Sequence, residues 1–352
     1  MVTSAELNPP AVRVLIPPAL LQEAVRPAPA HARLLRFAGD TMGTTWSVLC
    51  LDAETRPEPT IHAAIVAVLD QVVRQMSNWR GDSDISRFNQ AAAGEWVTLP
   101  ADCFHVVDTA LRIARLSGGA YDPTAAALVN LWGFGPAPRR DSAPALTEIL
   151  RVRAFCGWAR IELDAATRRI RQPGGVALDL CAIAKGFAVD AVSARLGESG
   201  LSHHLVEIGG ELRGAGIKPD GLPWWVDLEA PPLEDDAKPQ TALQQDRIAL
   251  HELAVATSGD YRRYFIDRVQ RQRYAHTIDP RTGYPASHAL ASVTVIHAQC
   301  MLADAWSTAL TVLGPQAGLA VAERHHLAVR FILRTPTGFR ETCSAAWAAM
   351  LE

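Results

Sequence analysis

The order of strand-like and helix-like segments constrains the fold of this chain more than any other feature of its sequence. Neighbouring strands in FAGDTMGTTWSVLCL and HLVEIGGELRGAG are separated only by short turns, at residues 42–44 and at Gly209-Gly210. Residues 160–172 have the pattern of a third hairpin. Helices are predicted at four places, over 61–76, 101–116, 183–196 and 302–313, and the first has an apolar stripe along one face. Because strands and helices do not alternate regularly, we expect an α+β fold of mixed, largely antiparallel sheets with packed helices.

The composition predicts one domain with two irregular segments. A chain of 352 residues can bury a large core, and we assign residues 32–352 to a single domain. Residues 1–31 are rich in Pro and Ala and lack a sustained period, which predicts a flexible arm. Residues 229–246 are acidic and contain three prolines, which predicts an excursion on the surface.

Charge and composition argue against several classes of function. The formal net charge of −3 gives no field that would attract a nucleic acid. The six cysteines are scattered and have no zinc-type spacing. No run approaches the roughly 18 apolar residues of a membrane span, and four prolines with Arg13 interrupt the first 21 residues, where a signal peptide needs an apolar stretch. We therefore expect a cytoplasmic protein without a nucleic-acid partner or a membrane span.

Two segments place an acid at a turn beside a predicted helix. In GAYDPT, residues 119–124, glycine and proline fix a turn that carries Asp122, and a helix cap explains the pattern equally well. In DLCAIAKG, residues 179–186, a short strand over 176–180 ends in Asp179 and a helix begins. Backbone N–H groups at a helix start, together with Lys185, suit a phosphate, although a capped helix with a solvated lysine is the plainer alternative.

Two further segments carry residue types suited to catalysis. Asp304 and Thr308 are spaced i and i+4 on a predicted helix, so both side chains lie on one face and could serve Mg²⁺. Taken alone, this pair is better explained by an acid near a helix start and a buried threonine. In HTIDPRTG, Pro280 and Gly283 predict a tight turn that holds His276, a base with a pKa near neutrality, at the end of a strand.

Taken in order, these segments resemble the ApbE family of FAD:protein FMN transferases. The resemblance begins at the turn of residues 42–44 and covers about residues 36–334. It is carried by MSNWRGDSDISRFN, GAYDPTAAALVNLWGFG, ALDLCAIAKGFAVD, LVEIGGELRGAG, ATSGDYRRYF, HTIDPRTGYP and ADAWSTAL. Each segment alone has modest specificity, but the ordered set is highly specific.

The resemblance implies an ApbE-like (T-fold-like) architecture with an FAD cleft and a magnesium site beside the pyrophosphate. The implied FAD contacts are Met42, Trp79, Ala120, Tyr121, Asp122, Asp179, Lys185 and Ile278. The implied Mg²⁺ ligands are the backbone carbonyl of Ala182 and the side chains of Asp304 and Thr308. His276 would help to activate the acceptor hydroxyl.

The implied reaction is Mg²⁺-dependent cleavage of FAD. FMN is transferred to a Thr or Ser hydroxyl in the flavinylation motif of a redox flavoprotein, and AMP is released. Two alternatives remain open: an FAD carrier without transfer, and an Mg²⁺-dependent FAD pyrophosphatase in which water replaces the protein hydroxyl. The presence of His276, Asp304 and Thr308 argues against a carrier, whereas a hydrolase and a transferase need the same residues.

Overall fold

The structure, a computed structural model, describes residues 12–18, 27–232 and 243–351. Its helices are α1 (Glu58–Met76), α2 (Asp84–Gln90), α3 (Ala101–Leu116), α4 (Ala126–Leu131), α5 (Leu146–Arg153), α6 (Ala184–Glu198), α7 (Cys300–Arg324) and α8 (Ala345–Ala348). The first nine strands are β1 (Arg13–Leu15), β2 (Arg33–Thr41), β3 (Thr44–Asp52), β4 (Trp96–Thr98), β5 (Glu162–Asp164), β6 (Arg169–Arg171), β7 (His204–Ile208), β8 (Glu211–Ala215) and β9 (Trp224–Asp227). The remaining strands are β10 (Asp246–Leu250), β11 (Leu253–Gly259), β12 (Tyr264–Ile266), β13 (Arg273–Ala275), β14 (Ile278–Asp279), β15 (Tyr284–Pro285), β16 (Leu290–His297), β17 (Ala328–Thr335) and β18 (Gly338–Cys343).

An eight-stranded antiparallel sheet forms the centre of the fold. Its strand order is β18-β17-β16-β11-β8-β7-β3-β2, and every neighbouring pair is antiparallel. The β2–β3 and β7–β8 hairpins confirm two of the predicted turns, and β5 and β6 confirm the third. The predicted α+β class is therefore confirmed, because local hairpins build most of the sheet and helices pack beside it.

Helices α1, α6 and α7 pack together around the main hydrophobic core, which they share with the central sheet. The stripe of α1 that faces the core is Ile61, Ile65, Leu69, Val72 and Met76. Its spacing of three or four residues is the one that aligns side chains along a helix. Helix α7 contacts α6, β11 and β16. It continues beyond the predicted 302–313 because the helix resumes after a kink at Gly314, which precedes Pro315.

A second, smaller sheet of order β1-β10-β9 contributes to a separate core. Leu15 and Trp347 are fully buried in that core, with Trp224 beside them. The predicted flexible arm over 1–31 is therefore wrong for Arg13–Leu15, which pair in parallel with β10. Sequence periodicity did not reveal this strand, because three residues are too few to show a pattern and their partner lies more than 200 residues away.

Two other expectations also need correction. Asp246, at the end of the predicted acidic excursion, is fully buried in β10, because Arg330 and Arg13 pair with it. Residues 233–242 of that excursion lie outside the described residues. The strand predicted over 176–180 is not formed, since the N–H of Leu178 donates to Asn89 and that of Asp179 to the carbonyl of Pro123. No helix in the described part of the chain is long and apolar enough to cross a membrane.

Replacing Arg13 by alanine should lower the free energy of unfolding by about 2 kcal/mol, because it removes charge-assisted hydrogen bonds to a buried carboxylate. The Nε and Nη2 atoms of Arg13 lie 2.6 and 2.9 Å from the two carboxylate oxygens of Asp246. Urea unfolding measures the change. The matched control is Arg247→Ala, which removes an exposed two-point pair with Asp227 and should cost under about 1 kcal/mol. An equal loss of unfolding free energy in Arg13→Ala and Arg247→Ala would contradict the pairing of β1 with β10.

Candidate active site

A cavity of about 360 Å³ brings together residues from eight separate parts of the chain. Its lining includes every residue that the sequence predicted for the site: Met42, Trp79, Ala120, Tyr121, Asp122, Asp179, Ala182, Lys185, His276, Ile278, Asp304 and Thr308. The size is within the range of small-molecule sites. The structure therefore brings the predicted residues together, while their individual roles remain predictions.

The β2–β3 turn places Met42 on the cavity wall. Met42 has a φ of 49° and Gly43 a φ of 72°, and positive values at both central residues define a two-residue turn whose twist matches the flanking strands. A side chain other than glycine is uncommon in this conformation, and such exceptions concentrate at functional sites. The pairing of Thr41 with Thr44 fixes the turn at the cavity.

The loop after α3 positions Tyr121 and Asp122. Gly119, with a φ of 78°, ends the helix by donating its N–H to the carbonyl of Ala114. The carboxylate of Asp122 accepts hydrogen bonds from the N–H and hydroxyl of Thr124 and from the N–H of Trp158. Asp122 thus holds this loop in shape and lies on the cavity wall, but it does not cap α4, whose N-cap residue is Ala125 without a side-chain cap.

Helices α6 and α7 cross closely at Gly186, and this contact sets the position of Asp304. A Cβ atom at residue 186 would lie 2.4 Å from the carbonyl oxygen of Cys300, so the two helices can approach this closely only with glycine there. The N–H of Gly186 donates to Oδ2 of Asp304 at 3.0 Å. Asp304 is 3% exposed, and its other oxygen points towards Lys185.

Lys185 lies between two buried carboxylates. Its Nζ atom is 2.7 Å from Oε1 of Glu211 and 3.8 Å from Oδ1 of Asp304. Burial alone would lower the pKa of Lys185, but the two carboxylates raise it above its ordinary value, so the side chain is an ammonium ion. Burial raises the pKa of Glu211 to about 7 and also raises the pKa of Asp304, although Lys185 opposes both shifts. One cation is therefore shared by two acids.

Two amides at the start of α6 are already paired within the protein, so they are not free for the phosphate that the sequence suggested. The N–H of Ala184 donates to the carbonyl of Leu180, and the N–H of Gly186 donates to Asp304. The carboxylate of Asp179 accepts from the N–H of Cys181. Lys185 is thus the group at this helix start that can attract a phosphate.

Glu211 belongs to the cavity wall, although the sequence did not identify it as a site residue. It directly follows the Gly209-Gly210 turn, where both glycines have a positive φ. Its Oε2 atom and the hydroxyl of Tyr121 are buried and have no hydrogen-bond partner among the described residues. Such orphaned polar atoms are uncommon in native proteins, so two of them on one cavity wall indicate that a ligand completes the site. An acid directly after a two-glycine turn is the signal that could have identified Glu211.

The oxygens predicted to hold Mg²⁺ fit a hard cation. Asp304 provides a buried carboxylate, Ala182 lies on the cavity wall, and the hydroxyl of Thr308 has a single described contact, 3.4 Å from that of Ser258. No cluster of three or more His, Cys, Asp or Glu side chains could hold a metal within the described ranges. A site with one carboxylate, a hydroxyl and a carbonyl instead suits Mg²⁺, which usually takes few protein ligands together with substrate phosphates.

His276 is held so that one ring nitrogen remains available. Its Nδ1 atom lies 3.2 Å from the carbonyl oxygen of Arg263, and since a carbonyl can only accept, Nδ1 carries the hydrogen in this contact. The neutral ring then has its lone pair on Nε2. Burial, reinforced by the charge of Arg263, lowers the pKa of His276 to about 4, so the ring is neutral near pH 7.

The loop after His276 forms as predicted, but Asp279 does not contact the histidine. Strands β14 and β15 close around Gly283, which has a φ of 82°. The carboxylate of Asp279 accepts from the N–H and the guanidinium of Arg281 instead. His276 is therefore oriented by a backbone carbonyl and not by an acid.

The cavity lining also includes residues that the sequence did not assign to the site. Besides Glu211, they include Phe134, Ser258, Arg262 and Arg263. Arg262 donates to the carbonyl of Gly209 and pairs with Glu229, and Arg263 donates to the carbonyl of Phe134. Consecutive arginines in ATSGDYRRYF were visible in the sequence, but only the folded hairpin shows that they lie beside His276.

Comparisons with known proteins identify the family. A sequence model described as the ApbE family matches residues 42–332. The chain is 38% identical to an FAD:protein FMN transferase of Vibrio cholerae, covering 91% of this chain and 93% of that protein. It is also 38% identical to one of Haemophilus influenzae, covering 92% and 93%. The crystal structure of the Pseudomonas stutzeri flavinyl transferase ApbE in its apo form superposes with a TM-score of 0.82 at 39% identity, covering 91% of this chain and 97% of that one. Sequence, fold and site agree, and this chain belongs to the ApbE family.

Proposed function

We propose that this protein is an FAD:protein FMN transferase that uses Mg²⁺ and modifies a Thr or Ser hydroxyl of a redox flavoprotein. The observation that carries the proposal is the convergence, in one cavity, of the Lys185–Asp304–Glu211 cluster with a neutral His276. The first group suits a diphosphate with a bound cation, and the second suits a hydroxyl nucleophile. The names of the relatives, which describe FMN transfer to protein, support the same reaction.

The chain's own residues divide the work between binding and proton transfer. Asp304, Thr308 and the carbonyl of Ala182 would hold Mg²⁺, which, when bound, neutralises charge on the pyrophosphate oxygens. Lys185 would pair with a phosphate oxygen. Tyr121 and Glu211 each present a buried polar atom that FAD can satisfy. Trp79 is 56% exposed at the cavity and offers a flat apolar face for a ring of FAD.

The proposed step breaks the phosphoanhydride bond of FAD and forms a phosphoester bond to the acceptor. The acceptor hydroxyl attacks the phosphorus next to riboflavin, and its proton passes to Nε2 of His276. The bond from this phosphorus to the bridging oxygen breaks, AMP departs with that oxygen, and FMN remains on the acceptor. Holding the hydroxyl and the phosphate in line would provide most of the rate, because this chemistry depends on positioning and electrostatics.

Protonation of His276 should not slow transfer between pH 8 and about pH 5.5, and it should lower the rate only as the pH approaches the pKa of His276, about 4. A base must be unprotonated, and a lowered pKa keeps it so at lower pH. Single-turnover transfer at saturating FAD and Mg²⁺, in buffers of constant ionic strength, measures this profile. Tryptophan fluorescence at each pH controls for unfolding. Because the pKa of Glu211 is about 7, the same profile is measured for Glu211→Gln. A rate halved near pH 6.5 in both proteins would contradict the lowered pKa of His276.

Product analysis separates transfer from the two alternatives. We expect one AMP released for each FMN bound covalently when the protein is incubated with FAD, Mg²⁺ and the acceptor protein of the Vibrio cholerae relative. Chromatography measures AMP and free FMN, and flavin fluorescence in a denaturing gel measures the adduct. Free FMN equal to AMP would favour a pyrophosphatase, and intact bound FAD would favour a carrier.

A further inference from the structure

The β12–β13 hairpin exposes a row of large apolar side chains. Tyr264 is 47% exposed, Ile266 is 55% exposed and Val269, in the turn, is 88% exposed. Exposed apolar residues are ordinary when scattered, but a contiguous group on one element marks an interaction surface. The exposure of these three residues within six positions therefore requires an explanation.

The opposite face of the hairpin is firmly packed. Phe265 and Tyr274 contact the Trp132 cluster, with ring centroids of Trp132 and Tyr274 4.9 Å apart. In the turn, the carboxylate of Asp267 accepts from the N–H groups of Val269 and Gln270. The apolar row is thus displayed by an anchored element, and the hairpin need not fold back to bury it.

A segment tied to the hairpin turn also exposes apolar side chains. The N–H of Ala143 donates to Oδ2 of Asp267 at 2.8 Å, which ties the hairpin turn to the chain just before α5. Leu146 and Leu150, at i and i+4 on α5, are 57% and 49% exposed. We call Tyr264, Ile266 and Val269 the hairpin patch.

The hairpin is basic in a chain that is acidic overall. Residues 260–276 contain five arginines and two aspartates, against a net charge of −3 for the whole protein. Arg263, Arg271 and Arg273 have no carboxylate partner in the part of the chain that the structure describes. A partner with acidic side chains around an apolar centre would complement this surface.

The hairpin leads directly to the proposed base. Tyr264 pairs with Ala275, the residue before His276, and Ile266 pairs with Arg273. At about 3.3 Å per strand residue, Ile266 lies about 10 Å along the hairpin from His276. The N–H of His276 donates to the carbonyl of Arg263, so the pairing continues and His276 lies on the face opposite Tyr264 and Ile266. A folded acceptor with its hydroxyl at His276 can reach around the edge of this two-stranded hairpin, because a protein interface extends well beyond about 10 Å.

We propose that the hairpin patch is the docking surface for the acceptor flavoprotein, which meets it with apolar side chains flanked by acidic residues. This inference rests on the proposed function, and it adds recognition of the folded acceptor beyond the residues that flank the modified hydroxyl.

The test compares two acceptors: the acceptor protein of the Vibrio cholerae relative and a 12-residue peptide containing its modified Thr or Ser. Ile266→Asp/Val269→Asp should raise the KM for the protein about tenfold, which is typical for loss of central apolar contacts, and should change the KM for the peptide less than twofold. The Kd for FAD should not change. Val269→Asp alone, at the most exposed residue of the hairpin patch, should give a smaller increase in the same direction. The matched control Leu222→Asp replaces a residue that is 48% exposed and lies outside the hairpin.

Each outcome decides between explanations. Equal KM values for the hairpin and Leu222 variants, with the wild type active, would overturn the docking surface and leave the proposed function intact. An equal rise for protein and peptide would show that the substitutions disturb the site and would also overturn it. Dissociation of a wild-type dimer by the hairpin substitutions, measured by sedimentation, would make a second copy of this chain the occupant. Absence of transfer from the wild type to either acceptor would count against the proposed function itself.

Discussion

Asp304→Asn should reduce the rate of FMN transfer roughly 10²- to 10³-fold, the loss typical when one electrostatic group of an active site is removed. Asparagine keeps an oxygen that can accept from the N–H of Gly186, so the crossing of α6 and α7 is retained. It lacks the negative charge that the proposed Mg²⁺ site requires. Lys185 remains paired with Glu211, so no buried cation is left alone. The measurement is AMP release at saturating FAD over a range of Mg²⁺ concentrations.

Thr311→Val provides the matched control for this prediction. Thr311 lies one turn beyond Thr308 on α7, and its hydroxyl donates to the carbonyl of Ser307 and is not part of the cavity lining. We expect its rate to remain within about twofold of the wild type, as for a substitution away from the site. If Asp304→Asn retained full activity with a wild-type Mg²⁺ dependence, the proposed metal ligands would be wrong.

His276→Ala should lower the rate of transfer roughly 10²- to 10⁴-fold, the usual contribution of a positioned general base. The Kd for FAD should change less than about tenfold, because the substitution removes a ring on one side of the cavity and leaves Lys185, Tyr121 and Asp304 in place. Single-turnover transfer measures the first quantity, and the quenching of flavin fluorescence measures the second.

His105→Ala is the control for loss of a histidine outside the site. His105 is exposed on α3 and is not among the cavity residues, so the transfer rate and the Kd for FAD should match those of the wild type. If His276→Ala weakened FAD binding as much as it slowed transfer, His276 would be a binding residue and not a base.

Local patterns in the sequence predicted most of the elements that frame the site. The β7–β8 hairpin follows from two glycines between strand-like segments, and α1 follows from apolar residues spaced by three or four. Such signals are local, because a turn and a helix face each depend on residues that are close in the chain. The strand predicted over 176–180 is not formed, because the N–H groups of Leu178 and Asp179 donate to the Asn89 side chain and to the carbonyl of Pro123. The periodicity of a sequence does not reveal such partners.

Contacts between distant residues were the part that the sequence could not predict. Glu211 joins the site only because β8 lies beside α6, where Lys185 reaches it. Arg13 is ordered by a carboxylate 233 residues away. For Asp304 and Thr308, spacing alone favoured a structural explanation, and the family resemblance reversed that preference. The structure places both residues on the cavity wall, where the close crossing at Gly186 sets the position of Asp304, and their role as metal ligands remains a prediction.

The central claim is covalent transfer of FMN to a protein hydroxyl, and intact-protein mass spectrometry tests it most directly. The acceptor protein of the Vibrio cholerae relative is incubated with this enzyme, FAD and Mg²⁺, with a parallel sample in EDTA. We predict a mass increase corresponding to one FMN joined as a phosphoester, located on a Thr or Ser after digestion and absent in EDTA. An unmodified acceptor accompanied by free FMN and AMP would contradict the claim and favour a pyrophosphatase.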